Sequence, residues 1–471
     1  MSKPGHTDGF RSGTNLRTPA GPGRALRSMV AIAAVLLVAA PGVPVSAQGA
    51  ERLRVIVREL PGHHAEAVRS LEQLGGDAGR RLRLIDGFQA LLPRTAVPAL
   101  QRVPSIVGVT PDAPLRLSGA GDPGTASGAT SMLEMADAIG ATDLWSGHVT
   151  GAGVDVALID SGVVPVDGLT VNGKIVNGPD LSFDRQAGAS PYLDLFGHGT
   201  HLAGIIAGRD DALAAGDRPN GGGFSGIAPG ARIVSVKVAS AGGETDVSQV
   251  IAAIDWVVQH RTSGGLDIRV LNLSFGTDAT QSYAADPLAF AVEVAWRRGI
   301  VVVTAAGNSG DHHRRLANPA MDPYVIAVGA DDLHGTSAVD DDTVPSWSSP
   351  GDALRKPDLV APGVAVPSLR DPGSFIDLGA PSSTHSRLLR GSGTSQAAAM
   401  VSGAVALLLD DRSRLTPDQV KELLVSTARP LLSADRDAQG AGLLDVGAAS
   451  RAPMALHTGE RAFCPAILRS P

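Results

Sequence analysis

The run Thr394–Leu409, Thr-Ser-Gln-Ala-Ala-Ala-Met-Val-Ser-Gly-Ala-Val-Ala-Leu-Leu-Leu, is long enough for several helical turns and apolar on nearly every side. A helix without a polar face cannot rest on a protein surface, so other elements must enclose this one. It follows a glycine-rich turn, Gly391-Ser392-Gly393, and carries Ser395 at its start. There the unpaired N–H groups and the positive end of the helix dipole favour negative charge. Such a place suits a nucleophile whose reaction develops an oxyanion. Serine is also a common helix cap, so the run alone does not separate a catalytic serine from a structural one.

What encloses the helix is legible upstream. From about Ile139 the chain alternates apolar strands (Val154–Ile159, Ile233–Val238, Leu271–Phe275, Val301–Thr304) with helices at His198–Ala207 and Pro287–Arg298. Another helix, expected to be capped by Thr245, carries Val247, Val250, Ile251, Ile254, Val257 and Val258 at helical spacing. Thr416-Pro417 opens the last one, with proline at the first helical position. Alternation of this kind predicts an α/β fold of three layers, a mostly parallel sheet covered on both faces. Aromatic residues are only 3% of the chain, so the core must be built from Ala, Val, Leu and Ile. Cys464 is the single cysteine, so no intrachain disulfide can form; it lies in a polar tail and reads as incidental.

Ahead of this domain stand three other pieces. Arg24 and Arg27 precede the apolar run Met29–Ala40 and the small-residue site Val45-Ser46-Ala47, the pattern of an export signal. The run is too short for a confident membrane span. From Leu53 to Thr110 the order reads βαββαβ, a ferredoxin-like α+β unit. It has strands at Leu53–Arg58 and Ile106–Thr110, helices at His64–Leu74 and Thr95–Val103, and a hairpin over Leu82–Leu92 turning at Asp86-Gly87. A Gly/Ser/Ala/Thr-rich linker, Ser118–Ser131, follows. Residues 118–471 carry 25 basic and 39 acidic side chains, which excludes nucleic acid as an expected partner. Residues 51–117 carry 10 basic and 7 acidic side chains and could complement the acidic body.

Functional groups of such sheets gather beyond the carboxyl ends of the strands. Asp160 follows the strand Val154–Ile159, His198 begins a helix, Asn308 follows the strand Val301–Thr304, and Ser395 begins the apolar helix. Acyl transfer needs these types: a serine nucleophile, a histidine base near neutral pKa, and a carboxylate to fix the imidazole tautomer. Asn308 and the Ser395 N–H could supply the two oxyanion donors.

Taken with their neighbours, these groups resemble the subtilisin-like (S8, subtilase) serine peptidases. The likeness rests on Val-Ala-Leu-Ile-Asp160-Ser-Gly, His198-Gly-Thr-His-Leu-Ala-Gly, Ala-Ala-Gly-Asn308-Ser-Gly and Gly-Thr-Ser395-Gln-Ala, in the family's Asp, His, Asn, Ser order. The α/β-hydrolases have another order and a G-x-S-x-G serine, absent here. Further similar segments are Gly226-Ile-Ala-Pro-Gly-Ala-Arg, Leu273-Ser-Phe-Gly276 and Lys356-Pro-Asp-Leu-Val-Ala-Pro-Gly363. The resemblance implies a secreted, self-processed serine endopeptidase, expected to be a monomer, acting on polypeptides through an acyl-enzyme. Its expected parts are a disordered N-terminus and signal peptide (1–47), an inhibitory propeptide (48–117), a linker and start of the mature chain (118–138), the catalytic domain (139–449) and a tail (450–471). In the family the propeptide assists folding, blocks the active site and is removed by self-cleavage. Ser274, Phe275 and Gly276 then become the edge strand that pairs with substrate, and Ala305, Ala306 and Gly307 the wall of the first side-chain pocket. With no acidic residue aligned there, an apolar preference is expected.

The chain departs from the family at Ala399 and Met400, where Pro-His usually follows a small residue; both are good helix formers, and altered packing is expected there. The acidic insert Arg209–Asn220 lacks the ligand spacing of the family's calcium loops. No cofactor is expected for the chemistry and no metal ligand is assigned; a structural calcium stays open. His198 and His201 are three apart but have no third ligand beside them. Gly221–Gly226 fits G-x-G-x-x-G yet opens no helix, and His312-His313 with Arg314-Arg315 reads as a solvated loop. Two rivals to the peptidase reading are an inactive peptide-binding domain and an ester hydrolase.

Overall fold

The computed structural model describes residues 51–117, 130–171, 173–187, 191–220, 223–278, 282–310, 315–336, 338–379 and 386–453. The expected export signal, Cys464, His312-His313 and most of the linker and tail lie outside these residues.

The N-terminal unit is ferredoxin-like: β1 (Arg52–Glu59), α1 (His64–Gln73), β2 (Asp77–Leu82), β3 (Gly87–Pro93), α2 (Val97–Leu100) and β4 (Ile106–Pro111). Its antiparallel sheet runs β2-β3-β1-β4. Val55, Val57, Leu71, Phe88, Leu92 and Leu100 form its own core. The hairpin begins earlier than its sequence suggests, because Asp77 and Ala78 pair with β3 although both are exposed, and a 3₁₀ turn over Arg83–Ile85 closes it. The second helix starts as a 3₁₀ turn at Arg94–Ala96 and is shorter than expected.

After β5 (Pro114–Arg116) come two short helices, α3 (Met132–Ala138) and α4 (Ala141–Ser146). The large sheet is built from β6 (Asp155–Asp160), β7 (Ile175–Asp180), β8 (Arg232–Lys237), β10 (Ile268–Leu273), β11 (Val301–Ala305), β12 (Ile326–Asp331) and β13 (Leu359–Pro362). Its order is β13-β12-β11-β10-β6-β8-β7, with every adjacent pair parallel. Parallel pairing requires crossovers, supplied by α5 (His198–Ala207), α6 (Val247–His260) and α7 (Pro287–Arg297). β9 (Glu244–Asp246) precedes α6, and β14 (Val366–Leu369) pairs with β15 (Leu388–Gly391) across α8 (Phe375–Gly379). The apolar run forms α9 (Thr394–Asp411), followed by α10 (Pro417–Thr427).

Every residue of α9 from Thr394 to Leu409 is buried, and α5 is buried along its whole length. The enclosure required by a helix without a polar face is thus met by the sheet on one side and α5 on another. Gly403 makes the close packing there: a Cβ on it would stand 2.6 Å from Cβ of Ile227. Met400 and Ala399 are fully buried; the flexible thioether suits an irregular gap. α6 is capped by Asp246, whose side chain accepts from Gln249 N, and not by Thr245. Thr245 is held in β9 by pairing with Leu115 of β5, which extends the strand to the helix. A last helix, Val446–Arg451, crosses the expected domain end at 449.

Candidate active site

Asp160 ends β6 and His198 opens α5, and the fold brings them together. His198 Nδ1 lies 2.9 and 3.0 Å from the two Asp160 carboxylate oxygens, with both side chains almost wholly buried. Asp160 Oδ1 also accepts from Ser161 N (2.8 Å) and Ser161 Oγ (3.1 Å), while Ser161 Oγ accepts from Gly199 N. Gly199 is required by this approach, since a Cβ there would sit 2.1 Å from Gly162 O. Burial works to lower the His198 pKa, but the charge and hydrogen bond of Asp160, with the charge of Asp194, outweigh it and leave it raised. A raised histidine keeps its proton to higher pH, so a reaction needing the neutral ring switches on later as pH rises.

Asp194 is a buried carboxylate that the sequence does not single out. It accepts from Phe196 N, Gly197 N, Thr200 N and Thr200 Oγ1, tying the turn before α5 to its first turn. Burial pushes its own pKa up against those hydrogen bonds. Replacing Asp194 with Asn is therefore expected to move the acid limb of the pH–kcat/KM profile downward, by about half a unit to one unit. An unshifted limb would reduce Asp194 to a loop anchor.

Ser395 reaches the same edge of the sheet through β10. The register sets Leu273 opposite Ile159, so Ser274 and Asp160 leave the sheet side by side. Ser395 Oγ donates to Ser274 O (2.9 Å), and Ser274 Oγ to Ser395 O (3.3 Å). Turning χ1 of Ser395 frees its hydroxyl for another acceptor, as catalytic hydrogen bonds often form only with substrate bound. Ser395 N belongs to the first helical turn, whose N–H groups have no intrahelical acceptor.

Asn308 is exposed beside it. Its Oδ1 accepts from Thr394 N (3.0 Å) and Thr394 Oγ1 (2.9 Å), which fixes the amide orientation and turns Nδ2 away as a free donor. Thr394 Oγ1 in turn accepts from Gly307 N (3.2 Å). Thr394 thus sets the asparagine, a role no local pattern reveals.

A cavity of about 220 Å³ is lined by Ser274, Phe275, Gly276, Ala305, Gly307, Asn308, Thr394 and Ser395. Ser274–Gly276 are irregular chain after β10 and not part of a strand, because β10 ends at Leu273. Ala306 does not line this cavity: alternation along the chain turns its methyl into a separate cluster with Leu316, Ala320, Met321 and Ala327. Asp278 lines this cavity, where the sequence aligned no acidic residue, and Arg116 reaches it as well.

Beside it lies β5, antiparallel to β9: Leu115 pairs with Thr245, Arg116 with Glu244, and Leu117 N donates to Gly243 O (2.8 Å). Leu115 and Leu117 are buried, and Arg116 forms an ion pair with Glu244 at 3.1 Å. The N-terminal unit is held over α6 and α7 by Asp112 accepting from Ser248 N, by Gln89 donating to Ser248 Oγ, and by Arg58 stacked 4.1 Å over Phe290.

His201 is buried and both ring nitrogens lack partners; burial and then the nearby His198 hold its pKa down to about 3, so the ring is neutral. Among the described residues no three His, Cys, Asp or Glu side chains are grouped to hold a metal. The carboxylates of the acidic insert are turned to separate protein partners: Asp210 to Arg387 and Phe224 N, Asp211 to Thr170, Asp217 to Ala214 N. That arrangement does not fit a calcium loop.

Comparison with known proteins agrees with this architecture. The model of the subtilase family of S8 peptidases matches residues 151–445. Serine protease AprX of Bacillus subtilis is 38% identical over 304 residues, 63% of this chain and 66% of that relative. Subtilisin E of Bacillus subtilis is 32% identical over 390 residues, 81% of this chain and 85% of that relative. The crystal structure of fervidolysin from Fervidobacterium pennivorans, described as a keratinolytic enzyme related to subtilisin, superposes with a TM-score of 0.65 at 24% identity. It covers 86% of this chain, and the chain covers 62% of it. With a family match over most of its length and relatives at this identity, the chain belongs to the subtilase family of serine peptidases.

Proposed function

We propose that the chain is an exported endopeptidase, made as a proprotein and processed by its own active site. The observation that carries this reading is the buried Asp160–His198 pair, set on the sheet edge from which Ser274 meets Ser395. In the proposed reaction Ser395 Oγ attacks the peptide carbonyl carbon while its proton passes to His198 Nε2. Asp160 holds the Nδ1–H tautomer and stabilises the imidazolium. Asn308 Nδ2 and Ser395 N–H hold the oxyanion. The C–N bond then breaks, the amine leaves with the proton from His198, and water, activated by the same ring, releases the acyl group.

The strand β5, seated against β9 with Arg116 reaching the Ser395 cavity, supports an inhibitory role for residues 48–117 and a site that reads extended chain. Export rests on Arg24, Arg27 and the Met29–Ala47 pattern. No helix among the described residues is long and apolar enough to cross a membrane. The monomeric state is part of the same proposal.

Casein zymography beside an ester assay and fluorophosphonate labelling tests the reading. Casein clearing with labelling at Ser395 supports it; ester turnover alone favours the ester hydrolase, and neither activity nor labelling favours the peptide-binding domain. Asn308→Ala is expected to lower kcat by roughly 10²–10³ with KM little changed, a magnitude known from subtilisin itself. A loss under ten-fold would remove Asn308 from the oxyanion site.

A further inference from the structure

The strand β5 sets one charged side chain between two buried apolar ones. Leu115 and Leu117 are buried, whereas Arg116 is exposed and donates from Nη2 to Glu244 Oε1 of β9 at 3.1 Å. The antiparallel register places Arg116 directly opposite Glu244, so this is a cross-strand ion pair. A second carboxylate comes from another segment. Asp278, on the chain that follows β10, lines the Ser395 cavity together with Arg116, and the two also share a neighbouring cavity of about 580 Å³.

Apart from β5 and the unit before it, the charge of this groove has one sign. Among the described residues, the body contributes Asp278 to the first cavity and Asp278 and Asp286 to the second, and no basic side chain to either. Asp286 is committed to capping α7, where it accepts from Leu288 N and Ala289 N. Glu244 and Asp278 are left to meet a cation, and the guanidinium of Arg116 is the cation seated there. Arg54 of β1 repeats the sense of the contact, lying 3.4 Å from Asp246 in the same strand β9. An extended chain on a strand edge gains affinity from its main chain, and its side chains decide which sequence is held.

We propose that Glu244, with Asp278, selects a basic side chain of the substrate at the place that Arg116 takes in β5. The inference rests on the peptidase reading above, since a substrate lying along β9 as β5 does meets the same two carboxylates. It makes the preferred substrates polypeptides with Arg or Lys on the acyl side of the scissile bond. This preference is separate from the apolar one expected of the first side-chain pocket. Both partners of the observed pair are exposed, so salt should weaken it.

The test compares kcat/KM of wild type, Glu244→Gln, Glu244→Lys and Asp278→Asn on quenched peptides. These carry Arg, Gln or Glu at each of the acyl-side positions beyond the first, in turn. At one of those positions wild type is expected to favour Arg over Gln by about three- to five-fold, the size of an exposed ion pair, and to disfavour Glu by a similar factor. Raising the salt from about 0.05 M to about 0.5 M should shrink both ratios. Glu244→Gln and Asp278→Asn should each bring them closer to one, and Glu244→Lys should reverse them in favour of Glu. Each ratio is internal to one protein, so a variant that folds or is processed poorly still reports. A wild type without preference for Arg over Gln, or a Glu244→Lys variant that keeps it, overturns the proposal. So does a preference that Asp278→Asn alone removes, since Glu244 would then take no part. Hydrolysis without the preference leaves the peptidase reading standing, whereas no hydrolysis of any peptide overturns that reading, and the inference with it.

Discussion

Replacing Ser395 by alanine is expected to lower peptide hydrolysis by the order of 10⁶, the size of loss known for the triad serine of subtilisin. The argument is one of geometry. Ser395 Oγ is the hydroxyl at the cavity mouth that Asn308 shares, and the alanine has no atom to attack the carbonyl. Packing should hardly change, because Ser395 makes its hydroxyl contact with one backbone oxygen at Ser274. The variant should therefore fold with the N-terminal unit still joined, and N-terminal sequencing of secreted protein should find no cut between residues 112 and 135. Identical processing of wild type and variant in a protease-free host would make self-cleavage wrong. Asp160→Asn should fall short of this loss, at about 10⁴, since the ring stays but its tautomer is no longer held.

The largest effect on stability is expected from Lys421→Met. Lys421 is on α10, almost fully buried, and its ammonium donates to Pro323 O (2.8 Å) and Val325 O (2.7 Å) while lying 3.0 Å from Asp358 Oδ2. Asp358 is also held by Arg355 (2.7 Å) and by Ala327 N (2.8 Å). Burial works to raise the Asp358 pKa, but Lys421 and Arg355 outweigh it and hold the carboxyl below its usual range. Nearby Asp322 goes the other way, pushed up first by burial and then by the charge of Glu293. The ammonium is thus part of the compensation for a buried acidic group. Methionine matches its length and removes its charge, leaving two carbonyls short of a donor and a carboxylate under-compensated. Breaking a buried pair in this way costs about 3–5 kcal/mol. Urea unfolding in the Ser395→Ala background, which prevents self-digestion, reads the value directly; a change below about 1 kcal/mol would show the network to be dispensable. The pH dependence has a definite sign. Because Asp358 is depressed in the folded state, its contribution is present above the unfolded carboxyl pKa and is lost as pH falls through the folded one. Without Lys421 that depression shrinks, so acid unfolding should begin at higher pH.

Much of the candidate site is legible in the sequence. Asp160, His198, Asn308 and Ser395 each sit where a strand ends or a helix begins, and such ends are written in short-range patterns: an apolar strand, a glycine, a helical period. The central burial of α9 followed from its lack of a polar face, and the N-terminal topology from the order of its periodic segments. Other features were not readable. Asp194 lies in an irregular run, and its importance comes from four donors that only the bend into α5 collects. Thr394 and Asn308 are 86 residues apart in sequence, and only the docking of α9 beside β11 lets one orient the other. The capping of α6 shifted from Thr245 to Asp246 because a strand from the N-terminal unit pairs with β9.

The sequence by itself therefore determined which groups this chain can use for chemistry, and at which ends of which elements they stand, because caps and periodicity act over a few residues. The tertiary structure decided what those groups touch: that Ala306 faces away from the cavity, that Asp278 and Arg116 reach it, and that Glu244 of β9 pairs with Arg116 of β5. Those outcomes depend on parallel crossovers that bring segments far apart in sequence to one sheet edge, and no local pattern carries that distance.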